Sequence, residues 1–256
     1  MKNILITGGS SGIGAEIVRR FASEGYNVAI SYRSNEAGAK QVANDIEAIG
    51  VQCFVQQAEL GSETAAKQLV QSVVDTLGRV DVVVNNAGGY IDGDEWDGTE
   101  QVWTETLSQN LVSVMNVSKY AAHEFKKQKS GVLINIASRH GMTGHADAVA
   151  YSAAKAGVIN LTGAYAELLA PDSRAVAISP GAVNTGYWLT APADELAEAK
   201  EQMPAGRLVE PTEVADTVFY VVAEDGKELN GTNIVVDGTQ YLSAQRSGLS
   251  AHEAQA

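Results

Sequence analysis

The sequence predicts an α/β fold of about seven mostly parallel strands with helices on both faces, and three observations predict it. Apolar runs of strand length recur along the 256 residues; most of them are separated by segments with helical spacing of apolar residues; and 25 glycines supply the tight turns between the two. Strands that alternate with helices through right-handed crossovers build a sheet whose ligand cleft lies beyond the carboxyl ends of the strands.

The strand candidates, in order, are Ile4–Ile6, Val28–Ser31, Val51–Val55, Val80–Val84, Val132–Ile136, Ala175–Ile178 and Ile234–Val236. Each is too short for a helix and lies next to turn residues. Helical spacing marks Ala15–Ser23, Ala37–Ile49, Thr64–Leu77 and Gln101–Phe125. Two stretches break the rhythm. Gly88–Gly98 is rich in Gly and Asp, and Asn184–Val209 contains Trp188 and a short Ala/Glu-rich helical patch; both are expected to border the cleft. No linker divides the chain, so residues 1–242 are expected to form one catalytic domain, followed by a polar tail without periodicity over 243–256.

A formal net charge of −13 excludes general affinity for nucleic acid or anionic membranes, because both require a surplus of Lys and Arg. Any anionic ligand must therefore meet a local positive site. Cys53 is the single cysteine and has no internal disulfide partner, the first residues run directly into a strand, and no apolar run reaches the ~20 residues of a spanning helix. A cytoplasmic protein without signal peptide or membrane segment is expected.

After the first strand comes Thr7-Gly8-Gly9-Ser10-Ser11-Gly12-Ile13-Gly14, with a helix expected from Ala15. Glycine here lets the backbone approach a pyrophosphate closely, and the amino end of the helix offers unpaired N–H groups and a positive dipole end. Gly8, Ser10, Ser11, Gly12, Ile13 and Gly14 are thus candidate cofactor contacts in a Rossmann-type doubly wound sheet. At the end of the second strand, Ser31-Tyr32-Arg33-Ser34 contains no carboxylate to hold a ribose 2′-hydroxyl. Arg33 can instead meet a 2′-phosphate or stack on adenine, with Ser34 and Tyr32 beside it, so NADP(H) is expected to be favoured over NAD(H).

Tyr151 and Lys155 are four residues apart, hence on one face of a helix. At about 6 Å and an effective dielectric near 20, the ammonium favours the phenolate by about 2 to 3 kcal/mol, which makes the tyrosine a usable acid/base. Ser138 follows the strand Val132–Ile136 and brings a hydroxyl to the cleft end of the sheet. Together they suit proton exchange with a carbonyl oxygen that accepts a hydride on its carbon.

With these residues, the Asn85-Asn86-Ala87-Gly88 segment, Asn110 and Pro180-Gly181, the chain resembles the short-chain dehydrogenase/reductase family over residues 1–242, near the 3-oxoacyl-(acyl carrier protein) reductases and the broad-specificity ketone and sugar reductases. The resemblance implies that Asn110 completes a tetrad with Ser138, Tyr151 and Lys155 by holding a water in a proton relay. It also implies that Asn86, Ala87 and Gly88 line the cofactor. Pro180, Gly181, Val183 and Thr185 would meet its nicotinamide half, and Lys155 its ribose. A homotetramer packed through residues 101–125 and 151–169 is a further implication. Where the family usually has an aspartate facing adenine, this chain has Glu59 followed by Leu60, and either can supply the contact.

The substrate is expected to be a small carbonyl or alcohol. Tyr90, Arg139, His140, Met142 and Trp188 sit in cleft-edge loops and are candidate contacts; His140 and His145 lack metal-ligand spacing, so no metal is expected. A 3-oxoacyl thioester on an acidic carrier is the alternative. It is weakened by Glu167, where such reductases tend to place arginine, while Lys126, Lys127 and Lys129 form either a docking patch or a solvated helix end. An NAD-dependent alcohol or sugar dehydrogenase and a non-catalytic dinucleotide sensor are the remaining readings, and a sensor has no use for the intact tetrad.

Overall fold

The computed structural model describes residues 1–201, 203–223 and 228–242; the tail expected from residue 243 lies outside them. Seven strands, β1 (Asn3–Thr7), β2 (Asn27–Tyr32), β3 (Cys53–Gln57), β4 (Val82–Asn85), β5 (Gly131–Ile136), β6 (Ser173–Pro180) and β7 (Asn233–Val236), form one sheet in the order β3-β2-β1-β4-β5-β6-β7. Every pairing is parallel. The order reverses between β1 and β4, which creates the crevice in which sheets of this kind bind ligands.

The strands read as unbroken apolar runs because both faces are dry. Even-numbered Ile4, Ile6, Val28, Ile30, Val82, Val84, Ile134 and Ile178 pack on one side with α1 (Gly12–Ser23), α2 (Glu36–Glu47) and α8 (Pro211–Val222). Odd-numbered Leu5, Ala29, Val83, Leu133 and Ala175 pack on the other with α3 (Glu63–Leu77), α5 (Ser113–Gln128) and the end of α6 (Val149–Leu169). Branched side chains crowd the first face, whereas Ala and Leu on the second admit the long helices. No helix among the described residues is long and apolar enough to cross a membrane.

Several expected boundaries move. The third strand starts at Cys53 rather than Val51 because its ladder begins where Cys53 meets Val28, and the fourth starts at Val82, opposite Ile4. The first helix opens at Gly12, so the glycine turn itself supplies the first helical residues instead of preceding them. The segment expected as one helix over Gln101–Phe125 is α4 (Glu100–Leu107), a π turn (Ser108–Val112) and α5. Apolar periodicity does not register the single extra residue of a π turn, which widens the backbone locally. Asn110 sits in that turn rather than in regular helix. Helix α8 was not read from the pattern, although Pro211 at its first turn and the Glu210–Glu213 capping box mark its start. The Ala/Glu-rich patch is α7 (Ala193–Glu201).

A buried polar chain ties the central strands to the second helical layer. Asn85 Nδ2 donates to Ser118 Oγ (2.9 Å) and Asn135 Oδ1 (2.8 Å), and Asn135 Nδ2 donates to Thr162 Oγ1 (2.9 Å). All four residues are buried, so each satisfied polar atom fixes the position of α5 or α6 over β4 and β5.

At the start of β5, a Cβ on Gly131 would come within 2.1 Å of the fully buried Phe125 ring. Gly131→Ala is expected to destabilise the fold by about 1 to 3 kcal/mol through overpacking, measured as a lower denaturant midpoint at unchanged m-value. A midpoint equal to that of the wild type would show that the ring has room to move.

Candidate active site

The glycine turn is fastened to the β4 loop across the switch point. Thr7 Oγ1 accepts the N–H groups of Asn86 (3.0 Å) and Ala87 (3.0 Å), while Asn86 Nδ2 donates to the carbonyls of Thr7 (3.0 Å) and Gly8 (3.1 Å). Side chains are sterically excluded here. A Cβ on Gly14 would lie 2.3 Å from Gly8 O and 2.5 Å from Asn86 Nδ2, and Gly8 and Gly12 have φ of +64° and +53°. Ser11, the residue before α1, makes no side-chain cap, and no acidic side chain lies in the first turn of the helix. Bare N–H groups at a helix amino end, reached over a glycine backbone, fit a pyrophosphate.

Two clefts open at the carboxyl ends of the first strands. One of about 340 Å3 lies between Ser10–Gly12 and the segment carrying Asn184 and Thr185, where the Thr185 side chain is 3.4 Å from a Cβ placed on Gly12. The other, about 620 Å3, is lined by Arg33, Glu59, Gly61, Thr104 and Ser108 among others. Among the described residues Arg33 forms no ion pair; its carbonyl accepts from Gln57 Nε2 (2.7 Å) and its side chain is exposed. Of the pair left open by the sequence, Glu59 lines the cleft, whereas the Leu60 side chain belongs to the core and its carbonyl accepts from Asn116 (3.0 Å). Asn35, absent from the sequence reading, caps α2 at Gly38 N (3.0 Å) and reaches Ser10 O (3.4 Å), tying the Arg33 loop to the glycine turn.

Ser138, Tyr151 and Lys155 meet at the carboxyl end of β5. Lys155 is buried, donates from Nζ to Ile136 O (2.9 Å) and stands 5.6 Å from the Tyr151 ring centre. Burial pushes the Tyr151 phenol above its usual 10; the Ser138 hydroxyl and the Arg139 charge oppose that rise. Lys155 is itself desolvated, its ammonium held down to about 8, so it remains charged at neutral pH at 5.6 Å from the phenol ring. Arg139, which the sequence reading treated only as a substrate contact, adds a second positive charge near Tyr151.

Asn110 is fully buried, and its carboxamide is committed: Oδ1 accepts Gly89 N (2.9 Å), and Nδ2 donates to Gly89 O (2.9 Å) and Thr106 O (3.0 Å). Its side chain therefore anchors the loop after β4. At the end of β6, Gly181 leaves a Cβ only 2.8 Å from Asp237, its N–H donates to Val236 O (3.0 Å), and Val183 is buried beside Val209. Pro180 closes the strand.

The candidate substrate contacts divide. His140 stacks on His145 (5.1 Å, 2°) and meets the Tyr151 ring edge-on (6.0 Å, 82°). Burial, then Arg139 and His145, push its imidazole down to about 4, so it is neutral at physiological pH, and its buried Nδ1 has no hydrogen-bond partner. Met142 receives a contact from Asn233 Nδ2 at its sulfur (3.4 Å). Tyr90 is half exposed, its phenol raised by burial and then by Glu95, Asp92, Asp94 and Asp147. Trp188 packs against the core, leaving Tyr187 and Leu189 exposed on either side.

Comparison with known proteins agrees with this geometry. The short chain dehydrogenase family profile matches residues 2–196. The 3-oxoacyl-(acyl-carrier-protein) reductase of Staphylococcus aureus is 37% identical over 246 residues, covering 94% of this chain and 98% of that protein. The 3beta-hydroxysteroid dehydrogenase 1 of Eggerthella lenta is 33% identical over 245 residues, 94% of each. A variant of the actinorhodin polyketide ketoreductase, solved with NADPH, superposes with a TM-score of 0.88 at 30% identity over 94% of this chain and 97% of that one.

The depressed Lys155 has a consequence for stability. Below pH 8 the folded and unfolded chains both carry the proton, and the fold bears a buried charge; between about 8 and 10.5 the folded chain releases it first, so this penalty fades as pH rises. Lys155→Met removes the charge while filling similar space. The difference in melting temperature between variant and wild type is expected to shift toward the wild type from about pH 7 to about pH 9.5. A difference independent of pH would contradict the buried-ammonium assignment.

Proposed function

The chain belongs to the short-chain dehydrogenase family and is an oxidoreductase of the CH–OH/C=O couple, and from this premise we propose that it reduces a small ketone with NADPH. The observation that carries the reading is the convergence of the Ser138 hydroxyl, the Tyr151 phenol and the Lys155 ammonium at the carboxyl end of β5, on the same edge of the parallel sheet as the glycine turn. When bound, NADPH would supply a hydride to the carbonyl carbon. Ser138 holds the carbonyl oxygen by a hydrogen bond, and Tyr151 gives its proton to that oxygen, so that hydride and proton together complete the alcohol. A phenol raised by burial keeps its proton until it is needed, which suits reduction. The Lys155 and Arg139 charges then stabilise the phenolate that remains.

Gly8 to Gly14, Asn86 to Gly88 and Pro180 to Thr185 form the cofactor cradle in this reading. Arg33 at the cleft mouth, with Ser34 and no nearby carboxylate on β2, supports preference for the 2′-phosphate. Exposed Leu107, Val112 and Met115 before and within α5, and Leu168 on α6, support assembly through these helices into a homotetramer.

The Staphylococcus aureus relative favours a second reading, a 3-oxoacyl thioester delivered on a carrier. The cleft-edge loop argues for the free ketone. Its exposed Asp92 and Glu95, with Asp147, put negative charge around Tyr90 that an acidic carrier would avoid.

NADPH consumption with ketones, diketones, 3-oxoacyl thioesters and steroid ketones tests the proposal. Turnover with ketones that drops about 10²- to 10⁴-fold in Tyr151→Phe is expected. Cofactor binding without turnover on any of them would point to a sensor. Arg33→Ala is expected to lower the NADPH over NADH preference in kcat/KM by about 10- to 100-fold, and an unchanged ratio would remove Arg33 from the 2′-phosphate.

A further inference from the structure

Helix α6 begins without a cap of its own. The residue before it is Ala148, which offers no side-chain acceptor, and Val149, Ala150 and Tyr151 occupy its first three positions. Their N–H groups have no partner inside the helix. All three are received by one residue more than fifty positions earlier in the chain. The Asp94 carbonyl accepts from Val149 (2.9 Å), Oδ1 from Ala150 (2.8 Å) and Oδ2 from Tyr151 (2.7 Å). Asp94 is fully buried, so these charge-assisted bonds are sheltered from water.

The loop that carries Asp94 is fixed at both ends. Gly89 exchanges two hydrogen bonds with the Asn110 carboxamide, and Glu95 O accepts from Gly98 N (3.0 Å) and Trp103 Nε1 (3.2 Å). Gly93 adopts φ +87° immediately before Asp94, and a Cβ on Gly98 would strike Gly93 O at 2.4 Å. Residues 88–98 thus form a strap from the π turn to the first turn of α6. Lys155, one turn later, has a separate anchor on Ile136 O. Tyr151 lies in the turn that would otherwise fray.

We infer that Asp94 is a positioning residue for the proposed reaction: by accepting the Tyr151 and Ala150 N–H groups it holds the phenol in register with Ser138 and Lys155. The inference rests on the reading of Tyr151 as the proton donor. A displacement of about 1 Å at a reacting group lowers rate on the order of 100-fold, so the effect falls on kcat rather than on cofactor binding at the distant glycine turn.

The test measures kcat for ketone reduction, the NADPH dissociation constant and the melting temperature for Asp94→Ala, Asp94→Asn and Asn230→Ala in the full chain. Asn230 is the control, since its carboxamide holds the same helix near its other end through Ala166 O (3.2 Å) and β6 through Ala175 N (3.0 Å). Expected are losses in kcat of about 100-fold for Asp94→Ala and about 10-fold for Asp94→Asn, which keeps one acceptor, with NADPH binding within about twofold of wild type. Asn230→Ala is expected to lose stability and keep kcat. If Asp94→Ala does not fold, the isosteric Asp94→Asn decides. Wild-type kcat in Asp94→Asn, or a fall matched by weaker NADPH binding, would overturn the inference by making Asp94 a general cap. Full activity in Tyr151→Phe, measured alongside, would instead overturn the reading beneath it.

Discussion

Thr7 and Asn86 face each other across the point where the strand order reverses, and their four hydrogen bonds hold the two halves of the sheet in the register that makes the cleft. Parallel strands alone leave the loops at their carboxyl ends free to diverge. Here the turn after β1 and the turn after β4 are joined through main-chain groups, the Gly8 and Gly14 backbone is packed too closely for side chains to intrude, and Gly12 takes a left-handed φ of +53°. The amino end of α1 is thereby aimed into the crevice with its N–H groups uncovered. The rest of the site is arranged around that fixed edge.

Beyond it the fold buries polar groups where an apolar core would be simpler. The Asn85, Ser118, Asn135 and Thr162 chain satisfies its members completely and fixes both long helices on the sheet. Lys155 is different, since one carbonyl partner does not offset the desolvation of an ammonium, and its depressed pKa records the imbalance. A fold optimised for stability alone would not keep it. The same burial raises the phenol of Tyr151 and lowers the imidazole of His140, so dryness at this end of β5 sets the protonation of three neighbouring groups.

Much of this was legible from residue order. The seven apolar runs became seven strands because burial on both faces leaves no polar alternation to obscure them, and boundaries moved by about two residues only where ladder partners decided them. Glycine spacing after β1, the four-residue step from Tyr151 to Lys155 and Ser138 at a strand end are local patterns with local causes. The π turn at Ser108–Val112 was not legible, since one inserted residue hardly disturbs an apolar pattern. Nor was the choice between Glu59 and Leu60, whose neighbouring side chains point to opposite environments.

What the sequence determined by itself was the class of sheet, the place of the glycine turn and the candidate acid/base groups, because each depends on residues within a few positions of one another. Tertiary structure alone decided that Asp94 receives the first N–H groups of α6, that the Asn110 carboxamide is committed to Gly89, and that the Arg139 charge lies close enough to oppose the rise of the Tyr151 phenol. Those relations join positions far apart in the chain. Their strength comes from distance and exclusion of water, and neither exists until the layers have packed.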